Sequence, residues 1–166
     1  MQIAESLYHP LLTPLMPHLP ELARCRSSAE LHAHPVYRRL RPQFEAALAT
    51  IDKGDFSSAP APPRSRYRVA AWNVERGIEF AGQVKALRTH PYLRECDVLL
   101  LTETDLGMAR SGNRAVAQEM ACRLGMHYAF APCYLNLAKG CGVEMDAPGE
   151  NELGLHGNAV DRKSTR

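Results

Sequence analysis

The second part of the chain alternates between short apolar runs and segments with helical spacing of apolar residues. The runs YRVAAWNV (67–74), DVLLLTE (97–103) and HYAFAPCY (127–134) have the composition of β-strands. Between them, the segments 80–90 and 112–124 carry apolar residues three or four positions apart, which is typical of amphipathic helices. The order strand, helix, strand, helix, strand predicts an α/β fold.

Both predicted helices have an apolar face and a recognisable end. The first places Val84 and Leu87 on one side and stops before Pro91. The second repeats apolar residues at intervals of four, at Val116, Met120 and Leu124. Gly125 follows it, where a left-handed C-terminal cap would form.

The first 63 residues have a different composition, with 9 of the 12 prolines and one of the 11 glycines. Because proline fixes φ and ends helices, we expect a helical N-terminal extension made of short helices and extended turns. One longer helix is predicted from Pro42 to Asp52. Its apolar face would contain Phe44, Ala47, Leu48 and Ile51. The segment SSAPAPPRSR (57–66) is predicted to be an extended linker.

The last part of the chain predicts less regular structure. Residues 135–160 are rich in glycine and acidic residues, which indicates loops that lead into a short strand at His156–Val160. Three strands and a fragment of a fourth would leave a sheet edge unpaired, so we expect part of a larger domain. Residues 161–166 are polar, and we expect them to be a non-native tail.

Composition excludes several classes of protein. The 166 residues carry a formal net charge of +2, which gives no case for a dedicated nucleic-acid or membrane-surface binder. The longest apolar run, Val98–Leu101, is far too short for a transmembrane segment, and the N-terminus lacks the pattern of a signal peptide. We therefore expect a cytoplasmic protein. Five cysteines without a CxxC pair favour reduced, mostly buried thiols over a disulfide framework or a structural zinc site.

Two polar side chains end neighbouring predicted strands. Asn73 lies near the end of the first strand, and Glu103 ends the second. In open α/β sheets, functional residues gather at the carboxyl ends of strands, where both side chains could reach one hard cation such as Mg²⁺. The same residue types also form turns and helix caps, so spacing alone leaves both interpretations open.

Three ordered motifs resemble a known family. The segments RVAAWNVERG, DVLLLTETDLGMARSGNRAVAQEMACRLGMHYAFAP and NELGLHGNAV are similar to the amino-terminal half of the endonuclease/exonuclease/phosphatase superfamily domain. The resemblance covers about residues 67–160. It implies half of a four-layer α/β sandwich, with the region before residue 64 as an extension. The family includes deoxyribonuclease-like enzymes, abasic-site endonucleases, sphingomyelinases and inositol polyphosphate phosphatases.

The resemblance also implies roles for individual residues. Glu103 would be the carboxylate ligand of Mg²⁺ (or Mn²⁺), and Asn73 would support the metal or the scissile phosphate. Asn158, in the Gly-Asn-Ala motif, would lie on a strand that borders the site. Thr102 stands where the family usually has Gln. Asp105 is either a second acid near the cation or, as the residue type favours, a helix cap or a solvated carboxylate.

The implied activity is Mg²⁺-dependent hydrolysis of phosphate esters by water, with a His–Asp pair that positions or deprotonates the nucleophile. The family's later Gly-Asp-x-Asn and Ser-Asp-His motifs have no counterpart here, so we expect the chain as given to be a truncated, inactive part of an active parent. Nucleic acid, a lipid headgroup and an inositol phosphate all stay open as substrates. A non-catalytic small α/β binding module is the alternative.

Three further residues have an expected role. His156 precedes the Gly-Asn-Ala motif and would lie near the site, but the family's catalytic aspartate partner is absent from the chain, so we do not expect His156 to replace the missing catalytic histidine. Arg110 and Arg114 would either contact a substrate phosphate or lie at a solvated helix end.

Overall fold

The computed structural model contains a five-stranded mixed sheet and several helices. The protein therefore belongs to the mixed α/β class. The structure describes residues 7–58 and 65–164. Within them the helices are α1 His9–Leu12, α2 Leu19–Leu22, α3 Ser28–Ala33, α4 Pro35–Ala49, α5 Phe80–Thr89 and α6 Val116–Leu124. The strands are β1 Asp52–Asp55, β2 Val69–Arg76, β3 Val98–Leu106, β4 His127–Leu135 and β5 Leu155–Arg162. Short 3-10 helices lie at Met16–His18, Leu93–Glu95, Ala109–Ser111 and Gly142–Asp146.

The strand order across the sheet is β1-β4-β5-β3-β2. Only β2 and β3 are parallel, and α5 connects them. The other neighbouring strands are antiparallel, which places β5 between β3 and β4. The register of β3 with β5 brings Asp105 directly opposite His156.

Both helices predicted in the second part of the chain are present. In α5, Val84 and Leu87 are buried as predicted. In α6, Val116 and Met120 are fully buried, and Gly125 has a φ of 65°, as a left-handed cap requires. The helix starts four residues later than predicted, because Gly112 and Asn113 adopt left-handed backbone conformations that cannot continue a helix.

The predicted helix from Pro42 to Asp52 is wrong at both ends. Helix α4 starts at Pro35 and contains Pro42 in its interior. The missing N–H of Pro42 costs one helical hydrogen bond, but the proline is exposed, and buried Leu40 and Phe44 on either side of it hold both halves of the helix to the core. The helix ends at Ala49, so Ile51 is exposed rather than part of its apolar face.

The N-terminal part adds an unpredicted edge strand. Strand β1 pairs with β4, with Asp52 opposite Phe130. Tyr8 joins the same core: its hydroxyl donates to the carbonyl of Thr50 (2.6 Å), and its ring packs edge-on against Phe130. These contacts join Tyr8 and β1 to the core of the sheet. Residues 59–64 of the predicted linker lie outside the described residues.

Strand β5 is longer than predicted, and its inward positions are Leu155, Gly157, Ala159 and Asp161. A Cβ at Gly157 would lie 2.1 Å from the carbonyl oxygen of Ala131, so close packing against β4 requires glycine there. Asp161 is fully buried, and neither of its carboxylate oxygens has a hydrogen-bond partner among the described residues. Burial raises the pKa of this carboxyl to about 8. A non-native tail over 161–166 stays a prediction, although its first two residues belong to β5 and residues 165–166 lie outside the described part.

The two faces of the sheet differ. Helix α6 packs against β3, β4 and β5 on one face, where Leu99 and Leu101 are buried. The opposite face, here called the open face, presents Val69, Leu100 and Val160 at 57%, 41% and 42% exposure. The open face is therefore apolar but uncovered within the described chain.

None of the five cysteines forms a disulfide, and the prediction that most are buried is wrong, because only Cys96 is buried. Cys133 lies exposed on β4. Among the described helices, none has the length and apolar character needed to cross a membrane.

Candidate functional site

Asn73 and Glu103 are in direct contact at the carboxyl ends of β2 and β3. The Asn73 amide nitrogen donates to Glu103 Oε1 (2.9 Å), and the Asn73 amide oxygen accepts the backbone N–H of Glu75 (2.8 Å). The contact follows from the parallel pairing of these strands, in which Asn73 is opposite Thr102. The structure thus brings together two of the three residues that the sequence analysis selected.

The backbone at Glu103 is strained. Glu103 has a φ of 55°, in the left-handed region that residues with a side chain rarely adopt. Here the register of β3 with β5 shifts between Leu101 and Thr104, which marks a β-bulge. A bulge changes the direction of a side chain, and strain of this kind costs about 1–3 kcal/mol. The direction of the Glu103 side chain therefore depends on a backbone conformation that is unfavourable for glutamate.

Arg76 links Glu103 to a buried ionic network. Its Nη1 lies 3.9 Å from Glu103 Oε2, and its Nε lies 2.9 Å from Glu144 Oε1. Glu144 Oε2 in turn accepts from Arg110 Nη1 (3.1 Å). Burial alone would raise the pKa of Glu144, but a backbone N–H from Cys141 and the charge of Arg110 outweigh it and lower the pKa. Glu144 is held ionised between two arginines.

Arg110 forms a two-pronged ion pair with Asp105. Arg110 Nε donates to Asp105 Oδ2 (2.8 Å) and Nη2 donates to Oδ1 (2.9 Å), and both side chains are almost fully buried. Burial would raise the pKa of Asp105, but hydrogen bonds from Arg110 and His156 together hold it below its usual value. Asp105 is therefore neither a helix cap nor a solvated acid, and Arg110 is not at a solvated helix end.

His156 is the third member of this cluster. Its Nδ1 lies 2.7 Å from Asp105 Oδ1, and Tyr134 stacks on the imidazole with ring centres 5.0 Å apart. An ionised carboxylate only accepts hydrogen bonds, so Nδ1 must carry the proton. Arg110 Nη2, 3.2 Å from the same nitrogen, is then a close neighbour rather than a donor to it. The sequence analysis did not predict this pairing of His156 with Asp105.

Asn158 lies on β5 opposite the bulge at Thr102 and Glu103, because its neighbours Gly157 and Ala159 pair with Thr104 and Leu101. It is exposed on β5, on the open face of the sheet that also carries Asn73, and its amide donates to Cys133 Sγ (3.5 Å). Among the described residues, it forms no hydrogen bond with Asn73 or Glu103. Arg114 is also uninvolved, since it pairs with Glu119 and lies over the Phe80 ring.

The donor set at Glu103 suits a largely hydrated cation. The Glu103 side chain is 38% exposed, and among the described residues its Oε2 forms an ion pair with Arg76 alone, at 3.9 Å. Mg²⁺ is commonly held by one or two carboxylates together with water and substrate oxygens. In the described part of the chain no three His, Cys, Asp or Glu side chains are grouped to hold a metal. A cation here would have Glu103 as its one carboxylate ligand, and Asn73 would orient that carboxylate.

Sequence reasoning missed the charged network of Arg76, Asp105, Arg110, Glu144 and His156. The sequence around Asp105 and His156 has the pattern of β-strands, and this was the only local signal that could have pointed to the network. Their pairing depends on the register of β3 against β5, which joins positions 51 residues apart.

Comparison of the chain with family models, with curated proteins and with solved structures found no match. Arguments about function therefore depend on the motifs and on the geometry above.

Proposed function

We propose that this chain is the amino-terminal half of a Mg²⁺-dependent phosphoric ester hydrolase of the endonuclease/exonuclease/phosphatase type. The observation that carries the proposal is the 2.9 Å hydrogen bond from Asn73 to Glu103 across the ends of two parallel strands. An exposed carboxylate on a strained backbone at a strand end is a costly arrangement, and such strain is concentrated at functional sites.

The open face supports the half-domain part of the proposal. The sheet has helices on one side and exposes Val69, Leu100 and Val160 on the other. This is the form expected of one sheet and its helix layer in a four-layer sandwich. In the proposal, the second sheet of the parent packs on the open face. That second half also brings the group that activates water.

In the proposed mechanism each residue of this half has a positioning or binding role. Glu103 supplies an anionic oxygen ligand, and Asn73 holds it in one orientation. The bound cation would neutralise charge that develops on the phosphoryl oxygens. Arg76, whose Nη1 is already 3.9 Å from Glu103, contributes positive charge beside the phosphate position. Asn158, on β5 opposite the bulge that contains Glu103, would border the site.

The test compares two matched substitutions, Glu103→Gln and Glu152→Gln. Glu152 is exposed, and its side chain makes no contact with a described residue that would be lost. In the intact parent, we expect Glu103→Gln to lower hydrolysis of bis(para-nitrophenyl) phosphate by about 100-fold or more, with Glu152→Gln unchanged. Mn²⁺ binding, followed by the electron paramagnetic resonance signal of the free ion, should weaken in parallel.

Unchanged hydrolysis and Mn²⁺ binding in Glu103→Gln would contradict the proposal and favour the non-catalytic binding module. The 166-residue chain alone is expected to show no hydrolysis above background. Turnover by this chain would contradict the need for a second half.

A further inference from the structure

A cavity of about 300 Å³ lies at the other end of the sheet from Glu103. It is bordered by the C-terminal ends of α5 and α6 and by the start of β3, where Leu99 lines it. Leu99 and Glu103 are four residues apart on β3, which corresponds to roughly 13 Å at 3.3 Å per residue. The cavity is therefore separate from the candidate site, and nothing in the proposed hydrolysis uses it.

The inner wall of the cavity is apolar. Leu87, Leu99 and Met126 are buried core residues that reach it, and half-buried Leu93 and Leu124 extend the wall outward. The volume is at the lower end of the range for small-molecule sites, which are mostly apolar with a few placed polar groups. The wall exposes little apolar surface, so it suits a small apolar group.

The rim of the cavity is cationic. It carries Arg88, Arg94, Arg123 and Lys163, and no acidic side chain among the described residues lines it. Arg94 is paired with Glu95 (3.3 Å), and the Lys163 ammonium donates to the carbonyl of Arg94 (3.2 Å), which fixes it at the rim. Neither Arg88 nor Arg123 forms an ion pair with a described residue.

A purely structural role explains only part of this charge. Arg88 and Arg123 lie in the last turns of α5 and α6, where a cation offsets the negative end of the helix dipole. Arg94 lies in a separate 3-10 helix, so capping of α5 and α6 does not account for a third cation at the same cavity. Lys163 follows β5 and belongs to the segment 161–166, which is expected to be a non-native tail, so the charge of the rim depends on the three arginines.

We propose that this cavity binds a small amphipathic organic anion. The apolar part of the ligand lies against Leu93 and Leu124, which are the more exposed apolar residues of the cavity, and its carboxylate, sulfonate or phosphate faces Arg88 and Arg123. The charge complementarity of the rim selects anions. This site is independent of the proposed function at Glu103.

The probe for the test is anilinonaphthalene sulfonate, a fluorescent aromatic anion. The test variant is the double substitution Arg88→Ala/Arg123→Ala, and the matched control is Arg39→Ala/Lys85→Ala, which removes two exposed cations away from the cavity. We expect the test variant to raise the Kd of the probe at least about fivefold while the control leaves it unchanged. Added NaCl should weaken binding to the wild-type protein, because salt screens exposed charges.

The open face could also attract this probe, so a second measurement locates it. Cys96 lines the cavity, whereas Cys133 is exposed on β4 away from it. Mass spectrometry of peptides after thiol labelling should show that the probe slows labelling of Cys96 and not of Cys133. Protection of Cys133 alone, no binding at all, or equal Kd values for the test and control variants would overturn the proposal.

Discussion

His156 Nδ1 lies 2.7 Å from Asp105 Oδ1, and the two residues face each other across β5 and β3. Arg110 binds the same carboxylate through two nitrogens, so one buried aspartate accepts from both a histidine and an arginine. This cluster connects through Glu144 and Arg76 to Glu103. The ionic network therefore holds the carboxyl end of β3 in place beneath the candidate metal ligand.

Removing the charge of Asp105 should strongly destabilise the fold. Asp105→Asn leaves Arg110 buried with Glu144 as its remaining acidic partner. Breaking a buried pair in this way typically costs about 3–5 kcal/mol. We expect a loss of this size in the free energy of unfolding, measured by urea denaturation. Asp146→Asn, at an exposed aspartate, is the control and should change stability little; equal effects of the two would show that the pair is unimportant.

The free energy of unfolding should fall as the pH rises from about 4 to about 8, because of the raised pKa of Asp161. Its pKa is raised to about 8 in the folded protein, so over this range the folded state holds a proton that the unfolded state has already released. Deprotonation therefore favours unfolding. At alkaline pH the ionised Asp161 should lower the free energy of unfolding by an amount on the order of a few kcal/mol.

Asp161→Asn should remove this dependence and raise the melting temperature at pH 8 more than at pH 4. Melting curves recorded by circular dichroism across the pH range test it. A wild-type profile as flat as that of Asp161→Asn would contradict the assignment.

Gly157 should not tolerate a side chain. Gly157→Ala would place a methyl group against the carbonyl of Ala131 and the Cα of Pro132, both of which are backbone atoms that cannot move aside easily. We expect a loss of about 1–3 kcal/mol in the free energy of unfolding. Gly82→Ala is the control, because a Cβ at Gly82 meets nothing within 4 Å and Gly82 lies inside α5. It should stabilise the protein by about 0.5–1 kcal/mol. If both variants shift stability in the same direction, the packing argument fails.

Relief of backbone strain at Glu103 should stabilise the protein at the expense of metal binding. Glycine adopts a φ of 55° without penalty, so Glu103→Gly should raise the free energy of unfolding by up to about 1 kcal/mol. The neighbouring change Thr102→Gly, at a residue without a positive φ, should lower it by about 1 kcal/mol. Chemical denaturation of both variants distinguishes them. A Glu103→Gly variant as destabilised as Thr102→Gly would show that the strain is negligible.

The sequence alone determined the α/β class, the three strands and two helices that contain strong local patterns, and the cap at Gly125. It also selected Asn73 and Glu103, although β2 and β3 continue for three residues beyond them, to Arg76 and Leu106. These features are local, so residues a few positions apart are enough to predict them.

The tertiary structure decided the rest, because it depends on contacts between distant segments. Asp52–Asp55 has no strand composition and is a strand only because β4 offers it an edge to pair with. Pro42 is tolerated inside α4 because the core holds the helix on both sides of it. Asp105 and His156 meet only through the register of β3 and β5, and the three arginines of the cavity come from three separate helices. No local pattern specifies which of these segments will be neighbours.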